Sequence, residues 1–312
     1  MDNLILCLSA ILPILLIAAL GYGAKRVGFI READVPKANK WAFSVFMPLM
    51  CFYNIYKSDL SSALRPGLIF FVAAGILLVY GLSFAYAVLF VPRRESRGVV
   101  IQGMFRSNYV ILGLPLAAGL SADGDIGVAA VMGAVVVPIF NALAVITLEL
   151  YKGEKPKPGK LLLDILRNPL ILGSLAGILF LAAGWKLPAV LEKPVQDMGK
   201  AASPLMLFLL GAFFRFDMDR SCLKQTAVVC AARLLVIPAL ALLAAAALGF
   251  RGIELITILA VFASPTAVAS FTMAEQLGGD APLAGNIVVV TSALSAFTLF
   301  GWSFLLKLLN FF

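Results

Sequence analysis

The sequence predicts an all-α integral membrane protein of ten transmembrane helices, arranged as two inverted five-helix repeats. Three observations carry this. Of the 312 residues, 62% are hydrophobic and only 13% charged, where soluble domains carry about 25% charged residues. Apolar runs recur at the length of roughly 20 residues that a hydrocarbon core demands. A shift of 156 residues also lays Pro13, Gly21, Gly28, Pro48-Leu49-Met50 and Phe52 on Pro169, Gly177, Gly184, Pro204-Leu205-Met206 and Phe208.

Along the chain the expected spans are 4–24, 35–56, 67–91, 99–120 and 126–151, then 161–183, 195–214, 225–248, 253–277 and 283–306. The first run carries only Ser9 and Tyr22 as hydroxyl-bearing interruptions. Its start (Met1, Asp2, Asn3) lacks positive charge and no small-residue cleavage site follows, so it reads as a span and not as a removable signal. The strongly polar stretch from Lys152 to Lys160 reads as a solvated linker. It divides the chain into residues 1–151, a linker at 152–160, and residues 161–312. Five spans per half is an odd number, so the second half lies upside down relative to the first, a common build for secondary transporters. A shift of 155 adds Gly124-Asp125 on Gly279-Asp280.

Lys and Arg distribute unevenly between the two sides. Lys57, Arg65, Lys186, Lys193, Lys200, Arg251 and Lys307 belong to one side, and Arg106, Arg167 and Arg233 fall within spans. The rest of the 25 flank the odd-numbered connections, which the positive-inside rule places in the cytoplasm, with both termini outside the cell membrane. The same asymmetry accounts for most of the net charge of +8, so no nucleic-acid partner is needed.

The chain contains no histidine. That removes His-ligated metal sites, Ser-His and Cys-His nucleophiles and His proton relays. Cys7, Cys51, Cys222 and Cys230 are scattered without a CxxC pair and read as buried thiols. No metal, cofactor or enzymatic activity is expected.

Polar groups concentrate in two spans. Arg106-Ser107-Asn108 lies about 8 residues into span four, so ~12 Å deep, and is followed by Gly113 and Pro115. Ser264-Pro265-Thr266 lies at similar depth in span nine, with Asn108 set against Ser264 by the 156-residue shift. The pattern predicts two broken helices crossing near the midplane, with Gly113, Pro115 and Pro265 at the breaks. Freed backbone groups there need a substrate, water or a facing break. Asn108, Arg106, Ser107, Ser264, Pro265, Thr266 and Asn141 are the candidate substrate-binding residues. For Arg106 two readings stand: it forks a substrate carboxylate, or it caps carbonyls of the opposite break or reaches water near the cytoplasmic side. Arg233 poses the same question. Asn141 and Asn286 suit a helix–helix hydrogen bond as well as a ligand contact. No acidic residue lies clearly at midplane, which leaves the coupling ion open.

These residues carry a family likeness. Leu12-Pro13 through Leu20-Gly21-Tyr22, Pro48-Leu49-Met50-Cys51-Phe52, Arg106-Ser107-Asn108-Tyr109, Gly113-Leu114-Pro115-Leu116, Asn168-Pro169-Leu170, Pro204-Leu205 through Leu210-Gly211, Ser264-Pro265-Thr266-Ala267 and Gly278-Gly279-Asp280 occur in order over nearly the whole chain. The set resembles the auxin efflux carrier family in its compact bacterial form. The resemblance implies inverted five-helix repeats, helices four and nine crossing at the substrate site, and a cargo of small organic anions such as malate or malonate. Asn108 and Pro265 become the strongest site candidates. Ser107 departs from the plant members, which often place proline beside the asparagine. The short 152–160 linker also lacks the regulated loop of many of them. The partners implied are an organic anion and the lipid bilayer, with a second copy of the chain left open. A sodium-coupled symporter of bile-acid-transporter type and a non-transporting membrane sensor are the alternatives.

Overall fold

The computed structural model describes residues 2–58, 65–121, 127–153, 158–214 and 219–312. Among these residues the protein is built of helices, and its one β-type pairing is an isolated bridge between Ser107 and Thr266. The predicted first, third, fifth and tenth spans are the unbroken helices α1 (Asp2–Arg26), α4 (Pro66–Phe90), α7 (Gly127–Tyr151) and α15 (Ala281–Leu308). The second span is α2 (Val35–Trp41) joined to α3 (Met47–Tyr56) through the π-helical segment Ala42–Phe46. The fourth is α5 (Arg94–Phe105), then the π segment Tyr109–Gly113 and α6 (Leu114–Leu120). The eighth joins α11 (Arg220–Ala231) to α12 (Ile237–Ala247) through the π segment Ala232–Val236. The ninth divides into α13 (Gly252–Ala263) and α14 (Ala269–Gln276).

The second half begins differently from expectation. Instead of one span from residue 161, α8 (Pro158–Leu166) meets α9 (Pro169–Ala183) at a bend of 59°. The Asn168-Pro169 pair is the cause. Proline drives its predecessor out of the helical region, and Asn168 adopts extended dihedrals while its Oδ1 accepts from the Leu170 amide at 3.0 Å as an N-cap. The seventh span, α10 (Ala189–Phe213), begins six residues earlier than expected, through a first turn and a half that carries Glu192 and Lys193. Five helices among the described residues are long and apolar enough to cross a membrane unaided. Among the described residues one bent pair, α8 with α9, reaches that reading when taken together. Gly124 and Asp125, one side of the 155-residue match, and residues 154–157 of the linker lie outside the described residues.

Each π segment starts six residues before a proline: Ala42 before Pro48, Tyr109 before Pro115, Ala232 before Pro238. A proline ring collides with the carbonyl four residues back and offers it no N–H. Widening the preceding turn to i→i+5 bonding moves that carbonyl aside without ending the helix.

Helix packing follows the 156-residue shift. α1 lies on α10, and α3 lies on α9. Gly21 of α1 faces the Phe208 carbonyl of α10, while Gly177 of α9 faces the Phe52 carbonyl of α3, where a Cβ would sit 2.9 Å from the oxygen. The shift exchanges the two contacts, Gly21 for Gly177 and Phe52 for Phe208. Small residues allow such backbone approach where lipid gives no hydrophobic drive for helix association. Outside, Leu20, Phe70, Leu78, Phe90, Leu240 and Phe297 stand exposed, the surface expected to face lipid tails. Inside, α13 is buried from Leu255 to Ala263 and α5 from Gly98 to Phe105. Ion pairs Lys57–Glu192 (2.5 Å), Arg65–Glu254 (3.7 Å) and Arg93–Asp219 (3.4 Å) join the halves at exposed ends, where each is worth little.

A Cβ on Gly211 would collide with the backbone of Ala18, whereas one on Gly23 meets nothing within 4 Å. Gly211→Val therefore lowers the melting temperature of the detergent-solubilised protein, by at least the roughly 1–3 kcal/mol of an overpacked core. Gly23→Val leaves it near wild type in the same melt.

Candidate functional site

The broken helices meet at their breaks. Asn108 N donates to Pro265 O at 2.8 Å, and Ala267 N donates to Arg106 O at 3.2 Å, closing an antiparallel bridge centred on Ser107 and Thr266. The pairing sets Ser107 opposite Thr266, not Asn108 opposite Ser264. The register of the repeat has drifted by three residues here from the 156-residue shift that holds at Gly21 and Gly177.

A break leaves the last carbonyls of α5 and α13 without intrahelical partners. Most find one nearby. Thr266 Oγ1 donates to Gly103 O at 2.8 Å, and Ser264 Oγ to Ala260 O at 2.6 Å. Arg233, fully buried on the π segment of span eight, supplies four more donors: Nε to Ser264 O (2.8 Å), Nη2 to Val261 O (2.8 Å), and Nη1 to Met104 O (3.2 Å) and Phe105 O (3.4 Å). One guanidinium thus caps the C-terminal ends of both half-helices. Of the two readings left open for a buried arginine, carbonyl capping belongs to Arg233.

Arg106 does something else. Its Nη2 donates to Asn141 Oδ1 at 2.6 Å, and Nη1 reaches Gln102 Oε1 at 3.3 Å and the Met273 sulfur. Asn141 Nδ2 in turn contacts Cys51 Sγ at 3.1 Å. All of these partners are neutral. Arg106 is 4% exposed, and among the described residues no carboxylate pairs with it.

On this side of the crossing lies a narrow cavity of about 60 Å³, walled by Arg106, Ser107, Asn108, Tyr109 and Asn141 with Met50, Asn54, Ser203, Met206, Ala267 and Ala269 among others. Among the described residues Arg106 is the only charged one on its wall. Ser107 Oγ and Asn108 Nδ2, both buried, have no hydrogen-bond partner among the described residues, and neither does Gln102 Nε2 one turn before Arg106. Native proteins leave few such groups unpaired without cause.

Four of the seven predicted residues, Arg106, Ser107, Asn108 and Asn141, therefore share one wall. Ser264, Pro265 and Thr266 do not. Their hydroxyls and carbonyl are consumed in building the crossing, and span nine lines the cavity through Ala267 and Ala269 instead. Gly113 and Pro115 are not at a break: the interruption is at Arg106–Asn108, and they sit in the π segment and the first turn of α6. Gly113 permits close approach to α13, since a Cβ there would lie 3.1 Å from Ala260 O and 2.8 Å from the Tyr109 ring. Asn286 contacts Cys222 Sγ at 3.2 Å and lines no wall of this cavity. Gln102 was missed in the sequence, although its i,i+4 spacing to Arg106 signals the contact. Thr291, whose Oγ1 accepts from Thr266 N at 3.3 Å, gives no sequence signal.

Comparison with known proteins agrees with this architecture. Residues 6–160 and 157–303 match the family model described as membrane transport protein. An uncharacterized transporter of Methanothermobacter thermautotrophicus is 25% identical over 306 residues, covering 96% of this chain and 98% of the relative. Another from Methanocaldococcus jannaschii is 22% identical over 308 residues, covering 96% and 98%. A protein of Rhizobium meliloti bearing the name "putative malonate transporter" is 24% identical over 306 residues, covering 95% of each chain.

Two hydroxyls at the bridge separate structural from free groups. Thr266→Val strands the Gly103 carbonyl and costs about 1–3 kcal/mol in a thermal melt. Ser107→Ala removes a hydroxyl with no partner and leaves the melt unchanged.

Proposed function

Since this chain belongs to the membrane transport protein family of the auxin efflux carriers, we propose that it carries small organic anions, mono- or dicarboxylates such as malate or malonate, by alternating access around the crossed breaks. The family makes it a multi-pass membrane transporter and not an enzyme. The choice of an anion rests on one observation: among the described residues a buried guanidinium, held by neutral groups, is the sole charge on the wall of a cavity at the crossing. An uncompensated buried charge is costly, and a carboxylate entering the cavity supplies the missing partner, with two parallel N–H···O bonds available from the guanidinium fork. Asn108 Nδ2 and Ser107 Oγ stand ready as neutral donors. The name of the Rhizobium relative favours malonate among the candidates.

The exchange of Gly21–Phe208 for Gly177–Phe52 supports two inverted repeats, residues 1–151 and 161–312, about a cytoplasmic linker at 152–160. The same reading puts the protein in the cell membrane with both termini outside. At about 60 Å³ the cavity is well below the roughly 300–1,000 Å³ of small-molecule sites, so a dicarboxylate enters only as its walls move. Binding is therefore coupled to movement of the walls, as a carrier requires.

Uptake of labelled malonate and malate into proteoliposomes tests the reading. Saturable uptake, competed by unlabelled carboxylates, is expected; no flux of any anion in a panel of mono- and dicarboxylates overturns it. Asn108→Ala abolishes uptake while the melting temperature stays near wild type, because the amide nitrogen has no partner to lose in the protein. Arg106→Lys weakens dicarboxylates more than monocarboxylates, since a point charge replaces a fork; equal weakening of both removes that role for Arg106.

A further inference from the structure

The carbonyls around Arg233 have a composition that the transported anion does not explain. Four backbone oxygens, Met104 and Phe105 from the end of α5 and Val261 and Ser264 from the end of α13, converge on a single cationic group that is fully buried. Each belongs to a half-helix C-terminus, where the backbone carries a partial negative charge. Unwound carbonyls and half-helix C-termini are the groups that coordinate a sodium ion in secondary transporters with broken helices. Here the space between them is filled by a side chain of the protein. No carboxylate shares the site among the described residues, so the guanidinium is balanced by the helix ends alone.

We propose that Arg233 is a tethered cation standing in the place of a coupling ion, so that the crossing is assembled without sodium and transport runs independently of a sodium gradient. The argument is one of charge and room. Two C-terminal ends brought together repel, and some cation has to hold them. A free ion leaves when the site opens to water and so ties assembly of the crossing to its own concentration. An arginine is permanently charged, cannot dissociate, and delivers its donors in a fixed planar fork. With the negative ends neutralised by Arg233, the Arg106 side of the crossing keeps a net positive field for an anion. Arg233 touches no wall of that cavity, so it acts as a positioning residue: it holds α5 and α13 in the register that sets Arg106 and Asn108 on the wall.

This deepens the anion-carrier reading and rests on it for transport, but its central test does not need a substrate. The purified protein is melted in sodium chloride and in choline chloride of equal strength. Wild type and Arg233→Lys, which keeps a tethered charge, melt at the same temperature in both salts. Arg233→Ala melts several degrees lower in choline and regains part of the loss in sodium or in millimolar methylguanidinium, either of which enters the vacated carbonyl cage. A wild-type protein stabilised by sodium overturns the proposal, as does a folded Arg233→Ala that neither cation restores. If Arg233→Ala yields no folded protein, the wild-type and Arg233→Lys melts decide. In proteoliposomes, malonate uptake by wild type has the same rate with sodium or choline outside, and a sodium-stimulated rate overturns the proposal. Absence of malonate uptake under every condition counts against the substrate reading and leaves the melts to judge Arg233.

Discussion

Everything at the centre of this protein depends on two backbone hydrogen bonds, Asn108 N to Pro265 O and Ala267 N to Arg106 O. In a hydrocarbon environment an unpaired amide or carbonyl costs several kcal/mol, so chain that leaves a helix must pair with something at once. Two breaks set face to face answer one another. The pairing is short because it has to be: one bridge satisfies the residues outside helical geometry, and helix resumes at Tyr109 and at Ala269 on either side. Side chains complete the set, with Thr266 reaching back to Gly103 and Ser264 to its own helix. These polar residues hold the crossing together, which is why they do not face the cavity.

The crossing also sorts charge. Helix dipoles place negative ends on α5 and α13 and positive ends on the segments that follow the breaks. The two buried arginines divide accordingly. Arg233 lies among the negative ends and is saturated by them. Arg106 follows directly on α5, yet its guanidinium reaches across to Asn141 and Gln102, groups that orient it without neutralising it. Two residues of one type and similar burial thus have opposite roles, set by what each hydrogen-bonds.

Much of the fold was legible in the residues, and the reasons differ by element. Long apolar runs such as Pro66–Phe90 declare themselves by hydropathy because lipid demands it. The breaks were found because Asn108 and Pro265 are intolerable at that depth without a purpose. The Gly21–Gly177 and Phe52–Phe208 matches were informative because each glycine lies on the other match's carbonyl, a contact that admits no larger residue. What the residues hid is equally physical. The three-residue drift at the crossing is invisible to a constant shift, since bridge pairing is set by backbone geometry and not by residue type. Ser264 and Thr266 were read as ligand contacts because a hydroxyl serves a carbonyl of its own chain as readily as a substrate, and sequence does not show which is nearer. The bend at Asn168-Pro169 was written in a local capping signal, but a continuous hydropathy window averaged over it.

The three π segments link these scales. Each starts six residues before a proline, whose ring cannot accept the carbonyl four residues behind it, and each widens one turn by a residue. Side chains beyond a widened turn are rotated relative to those before it, so the proline re-aims one part of a helix without breaking it. Two of the three segments adjoin the crossing. Tyr109–Gly113 follows the first break and carries Gly113, where a Cβ would lie 3.1 Å from Ala260 O of α13. Ala232–Val236 carries Arg233, whose guanidinium has to reach carbonyls on two other helices at once. Pro238 favours the widened turn without forcing it, since Pro13, Pro138 and Pro204 lie inside continuous α-helices. The central cation therefore sits on a widened turn five residues before a proline, and the geometry of that turn brings the guanidinium to the carbonyls of both half-helices.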